Sequence, residues 1–568
     1  SQRVTSKRVF LFAFSQGACS AVSYATRPHA PPLGGVFVCS GALCGSDDEV
    51  TAQGVYPALA CKDTPFVLGC AMEDAHVPAS RVQVTAALLR RAAASVQCDL
   101  FPGTSHQIFP KTASKIRCLL SETLHGTVGN STHDPYEYLG GYQSLLETEA
   151  LPDAVPKNQR SPRFVKYNLV AEIITGSPFC APRATNMSTW FYRIHPSVGT
   201  HGAFRKYPQP TIRGDFCCPG HSFTPEPVRW NPLPNPAAAG TAPIDFVDGL
   251  VTLAGTGNPF SVKGMAIHTY SCNVDMIDRS FYNSDGDLLI VPELGPLRIQ
   301  TECGMLLVSP GELFILPKGL KMTVTLPANG GSKGFVAELF EIGHFQLPNL
   351  GPIGSNGLAD ARHFKTPTAH YEDRSCKDYE LINKFGGDLF LANLQYSPYD
   401  VVGWSGRYHP CKYDLLQFMA LGSVTWDHAD PSLHTVLSCP IDPATAASAC
   451  DIVCFRARYD AVQHTFRPPW YHRNAATEFN AIIEINAPYS GFNKGTHWLT
   501  PTMTGHGIAG SSFNGFSNAP PSDEAMMISE GSIWIMFESI YPMVRRRNTC
   551  PIAILYPHLT SPLLLFVC

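Results

Sequence analysis

Charge is scarce in this chain of 568 residues: Asp, Glu, Lys and Arg make up 15% of it against 44% hydrophobic residues. That excludes a collagen, a charge-rich disordered chain and a long coiled coil, none of which combines so little charge with so much hydrophobic content. No basic excess exists either, since the net charge is -4, and nucleic acid is therefore not expected as a partner. No C-x-x-C pair occurs among the 19 cysteines, which removes the usual signature of zinc ribbons and of thioredoxin-like chemistry. An odd count without a repeated short spacing is not a disulfide framework, so most of these thiols are expected as small buried hydrophobes in a reducing compartment. Long apolar runs are missing too. Val9 to Phe14 is too short for a signal core of about 7–15 residues, and the apolar end from Pro551 to Cys568 is broken by Pro551, Pro557 and Pro562. The expectation is a cytoplasmic protein with no membrane partner.

What is present changes character along the chain. Up to about residue 120, short apolar runs (Val9–Phe14, Gly34–Cys39, Pro65–Cys70) alternate with an Ala-rich amphipathic stretch at Arg81–Ser95, the pattern of an α/β layer on a parallel sheet. Polar residues, Gly and Pro dominate Thr123 to Arg163 and suit a linker leading into an extended arm. From about Phe164 the pattern becomes many short β-like runs between Gly, Pro and Asn-rich turns, as in an all-β sandwich or barrel. Asp285 to Pro292, Gly295 to Val308 and the Pro310-Gly311-Glu312 corner resemble a cupin jelly roll. No His-x-His pair accompanies these strands, and this half of the barrel reads as structural.

The chemistry is concentrated near residue 470. His472 and Glu478 lie six positions apart, and His506 follows in Thr504-Gly505-His506-Gly507. Two imidazoles and one carboxylate form the set that holds a non-haem Fe(II) on one face and leaves other positions open. An even spacing puts His472 and Glu478 on the same side of one regular strand, and a short loop between strands would also bring them together. The alternative is that each is an ordinary polar residue near a turn.

Long matching runs from about Tyr138 to Met543 add to this reading. They include Cys180-Ala181-Pro182-Arg183, Trp190-Phe191-Tyr192-Arg193-Ile194, Phe281-Tyr282-Asn283-Ser284-Asp285-Gly286-Asp287, Leu350-Gly351-Pro352-Ile353-Gly354 and Trp426-Asp427-His428-Ala429-Asp430-Pro431-Ser432. The region resembles the homogentisate 1,2-dioxygenase family. The resemblance implies iron ligands at His472, Glu478 and His506, a catalytic base at His428, and substrate contacts at His506 and Tyr489. It also implies Fe(II) as cofactor, a small aromatic substrate and O2 as partners, ring opening of homogentisate to maleylacetoacetate in tyrosine and phenylalanine breakdown, and assembly into trimers or hexamers. Two departures stand out. The family usually has another His six positions before the last ligand, where this chain has Thr500, with His497 three residues earlier; and Glu484 to Trp498 is poorly matched.

At the other end, Ala13-Phe14-Ser15-Gln16-Gly17 sits between an apolar strand and an Ala/Ser-rich stretch, the setting of a nucleophile elbow, although Ala13 replaces its first Gly. Asp74 and His106 follow in the order Ser, Asp, His. Residues 8–120 resemble the C-terminal half of the phospholipase/carboxylesterase family, which implies Ser15 as nucleophile, His106 as its base and Asp74 as the group orienting the imidazole. The early strands and one oxyanion-hole donor of that fold have no counterpart in this chain, so an incomplete hydrolase site is expected.

The fold expected is thus mainly β, a cupin-like jelly-roll dioxygenase with an N-terminal partial α/β-hydrolase. Its divisions are residues 1–120, a linker at 121–137, a dioxygenase-like region at 138–548 with two parts meeting near 410/411, and a divergent tail at 549–568. Two other readings stay open: a serine ester or thioester hydrolase whose barrel only scaffolds, and a cupin-like binding protein without catalysis.

Overall fold

The computed structural model describes residues 10–14, 35–39, 66–71, 82–83, 85–86, 89, 96–101 and 134–546, the last span apart from 218–220, 239, 328–329, 350–357, 419, 421, 426–433, 443, 446, 464–470, 487–491, 508–509 and 520–523. The chain divides into two compact units, Ser1–Ser131 and Thr132–Cys568.

In the first unit, Phe10–Phe14, Gly35–Cys39, Phe66–Ala71 and Val96–Phe101 form a four-stranded sheet in chain order, and every pairing is parallel. Parallel neighbours need crossover connections, which is why the apolar runs are spaced far apart. Val82, Ala86 and Leu89 are buried at helical positions, spaced as one face of an amphipathic helix requires. The fourth strand, Val96–Phe101, was not marked by an apolar run, because Gln97 and Asp99 interrupt it.

The second unit is built from β-sheets. A ten-stranded sheet lies at its centre, and the alternation of its side chains explains runs that look continuous in sequence. Leu289, Val291, Leu313, Ile315, Phe335 and Ala337 share one core with Phe479, Ala481, Leu499, Ile535 and Phe537 of a seven-stranded sheet. The alternate residues Leu288, Ile290, Phe314, Leu316 and Val336 share a second core with Leu297, Ile299, Leu306, Val308, Ile382 and Leu391 of another seven-stranded sheet. Strands covered on both faces have no solvent side to mark with polar residues. The mainly β, cupin-like architecture and the N-terminal parallel sheet stand as expected.

The early and late parts of this unit are interlocked. Val228–Trp230 adds to the edge of the late sheet by pairing with His497–Thr500, and Val544–Arg546 returns to pair with Leu250–Asn258 of the central sheet. Nine cysteines among the described residues are free thiols, six of them buried, which is the packing role expected of them. No helix among the described residues is long and apolar enough to cross a membrane.

Candidate metal centre

The strand Thr477–Glu484 pairs on one side with His497–Thr500 and on the other with Met526–Ser539. Its odd residues Phe479, Ala481 and Ile483 enter the core between the sheets, so Glu478 is carried on the opposite face. His472 is not on this strand. It forms an isolated antiparallel bridge with His506, each backbone N–H donating to the other's carbonyl at 2.9 and 3.0 Å. Of the two arrangements open in sequence, the loop at 473–476 is therefore the one realised.

The two loops that carry the histidines are laced together by short bonds. The Met503 N–H donates to the Asn474 carbonyl at 2.8 Å, and the Thr502 hydroxyl donates to the Ala475 carbonyl at 2.9 Å. Met503 takes a left-handed backbone conformation, φ 59°, to make this turn. The Thr504 hydroxyl reaches the Pro225 carbonyl at 2.7 Å, anchoring the loop to the early part of the unit.

The result is convergence. One ligand atom from each of His472, Glu478 and His506 lies within 4.8 Å of the others, and the ring centroids of the two histidines are 4.2 Å apart. His506 Nε2 is 3.1 Å from Glu478 Oε1, about the separation of two donors at roughly 2.0–2.2 Å from one ion and at right angles. The donor set, two nitrogens and one carboxylate, fits a first-row transition metal that keeps open positions.

Electrostatics prepares the same point for a cation. Burial opposes ionisation of Glu478, but hydrogen bonds from the His506 ring and the Asn474 amide, the latter at 2.7 Å, hold its carboxyl below the usual range. Burial likewise opposes a charged His506, yet Glu478 holds a proton on it and raises its pKa. His506 Nδ1 donates to the Thr504 carbonyl at 2.9 Å, which directs Nε2 at Glu478. Asn474 and this carbonyl escaped sequence reasoning. An Asn two positions after the histidine was the available signal for the first, and nothing in sequence marks a backbone carbonyl.

Thr500 is the cross-strand partner of Glu478 and lies buried on its face. His497 does not replace the histidine usual there. It pairs with Ala481, points to the other face, and stacks on Trp230 at 5.4 Å inside the core. Burial lowers its pKa to about 4, so it is neutral. Beyond Glu478 the metal-bearing face becomes apolar, with Trp498, Met536, Ile482, Trp534 and Phe492 packed in one cluster. His428, Tyr489, Ser15, Asp74 and His106 lie outside the described residues.

A family model described as homogentisate 1,2-dioxygenase N-terminal matches residues 137–415, and the corresponding C-terminal model matches 416–554. A phospholipase/carboxylesterase model matches 1–124. Homogentisate 1,2-dioxygenase of Oryza sativa subsp. japonica is 44% identical over 410 residues, covering 71% of this chain and 86% of that protein. Its namesake from Drosophila melanogaster is 44% identical over 411 residues, covering 71% and 91%. Among solved structures, a phospholipase/carboxylesterase from Dyadobacter fermentans is 31% identical and covers 22% of this chain and 55% of its own, with a TM-score of 0.19. The chain thus spans little more than half the length of that hydrolase.

Proposed function

This chain belongs to the homogentisate 1,2-dioxygenase family, and from that premise we propose that it opens the ring of homogentisate with O2 at Fe(II) held by His472, Glu478 and His506. The convergence of those three side chains is the observation that carries the reading. Fe(II), when bound there, would supply open positions for a phenolic oxygen and O2. The protein's part is to fix the donors and shape the surroundings. Asn474 restrains Glu478, and the Thr504 carbonyl restrains the His506 ring. The apolar strip of Trp498, Met536 and Ile482 on the same face suits an aromatic ring and excludes water. By the family resemblance, His428 takes the proton of the substrate hydroxyl, a task suited to an imidazole titrating near neutrality. Tyr489 is the residue proposed for the family's substrate-contacting tyrosine. Trimers or hexamers and a cytoplasmic setting belong to the same reading. So do the division of the chain near 120, 137 and 410 and the divergent tail from 549.

O2 consumption followed with an oxygen electrode tests the proposal. Uptake with homogentisate that requires added Fe(II) is expected, and an iron-loaded protein that consumes no O2 with this substrate refutes it.

The parallel sheet and the match at 1–124 favour a second, separate reading for the first unit, a serine hydrolase with Ser15, His106 and Asp74. Labelling of Ser15 by a fluorophosphonate supports it, and no labelling removes it.

A further inference from the structure

Backbone register places another acid beside the triad. Glu478 is the direct cross-strand partner of Glu538, and Glu538 is the partner of Asp451 on Ala447–Gln463. Directly paired residues share a face, with Cβ atoms about 4.5–5.5 Å apart. Three carboxyl side chains therefore stand in one row across three adjacent strands, on the face that carries the metal donors. Like charges so placed repel one another. Such a row is tolerated where positive charge lies next to it, and the convergence of His472, Glu478 and His506 is where a bound cation would sit. Asp451 stands at the end of the row, where burial raises its pKa against hydrogen bonds from Ser438 and Ser448.

A divalent ion bound by two neutral imidazoles and one carboxylate keeps one positive charge uncompensated. In a site where Glu478 and His506 are buried, that excess is costly. A second carboxylate one strand away cancels it without taking a coordination position. We infer, resting on the metal reading above, that Glu538 is a positioning residue that balances the charge of the divalent cation held by His472, Glu478 and His506 from its place beside Glu478 on the neighbouring strand, and not as a ligand. The fourth side of Glu478 is then accounted for: Asn474 and His506 restrain its carboxylate, Thr500 flanks it on one strand, and Glu538 flanks it on the other.

Glu538→Gln keeps the shape of the side chain and removes its charge, so it separates this role from packing. Co(II) binding to the full chain is measured by titration calorimetry and visible absorption, and melting of the metal-free protein by scanning calorimetry. The expected result is Co(II) affinity lower by about 10–100-fold, an unchanged absorption spectrum at saturation, and a metal-free protein no less stable than the wild type, because a repulsion is gone. Glu538→Asp recovers part of the affinity. Unchanged affinity in Glu538→Gln overturns the inference. A lower melting temperature of the metal-free variant overturns it in favour of a structural role, and an altered saturated spectrum overturns it in favour of direct ligation. His472→Ala is the control for the underlying reading: if it binds Co(II) like the wild type, the triad itself fails. If it loses Co(II) while Glu538→Gln binds normally, only the role of Glu538 falls.

Discussion

Two buried histidine–glutamate pairs occur among the described residues of the second unit, and their surroundings differ in kind. In the central sheet, His268 Nε2 meets Glu338 Oε2 at 3.0 Å, while Lys384 and Asn283 donate to Glu338 Oε1 at 2.8 and 2.6 Å. Thr252 occupies the other ring nitrogen of His268, and Lys384 also bonds Asp285 at 2.6 Å. At the candidate metal centre, His506 meets Glu478 at nearly the same distance, but the remaining neighbours are a second imidazole and an amide. The first pair is compensated by a lysine, a fixed cation that nothing displaces at neutral pH. The second is compensated by the proton that Glu478 holds on His506, which a metal ion can replace. The same two residue types thus make a structural clamp in one place and a candidate metal centre in the other, and the third partner decides which.

Removing a metal donor should separate the two most strongly. His472→Ala is expected to abolish metal binding, read as metal content per folded chain by elemental analysis, and to leave O2 consumption at background. At the central clamp, Glu338→Gln leaves Lys384 short of a carboxylate in a buried site. A loss of about 3 kcal/mol in urea unfolding is expected, with metal content per folded chain unchanged; a loss of metal there would erase the distinction. Asn474→Ala should have a smaller effect, weakening metal binding by about 10–100-fold through a less restrained Glu478, with little change in unfolding.

Acid should act on the two pairs in different windows. Burial opposes ionisation of Glu338, but Lys384 and His268 bring its pKa down from the usual 4.5 to about 2. Its folded-state pKa is depressed, so its contribution to stability is present above about pH 4.5 and is lost as pH falls toward 2. At the metal centre the pKa of His506 is raised from its usual 6.5, so protons compete with metal already at neutral pH. Metal affinity should therefore rise with pH through 6.5 and above, while the difference in urea midpoint between wild type and Glu338→Gln, which isolates the Glu338 contribution, falls only below about pH 4.5. Coincident pH profiles for affinity and stability would contradict the comparison.

Much of the scaffold was legible before any coordinates. Runs such as Leu288-Leu289-Ile290-Val291 and Leu313-Phe314-Ile315-Leu316 announce buried strands, since a strand covered on both faces has no polar period to hide it. The helical positions from Val82 to Leu89 that the structure describes show through the spacing of Val82, Ala86 and Leu89. Val96–Phe101 was missed because its polar residues alternate with apolar ones in a segment too short to stand out. The donors His472, Glu478 and His506 were legible as residue types and by family resemblance. Their even spacing left two geometries open, and the loop at 473–476 was the one adopted.

Sequence alone determined the materials: strands that must be buried, a donor set of two imidazoles and a carboxylate, and two regions of different pattern. Tertiary structure decided what each donor faces. Whether His497 could stand in for the histidine missing at Thr500 was settled by register, because residues three apart on a strand point to opposite faces. That Glu538 flanks Glu478, 60 positions earlier, follows only from the pairing of two strands. Cross-strand neighbours are fixed by hydrogen-bond register between distant segments, and no local pattern of residues encodes which carboxylate will lie beside which.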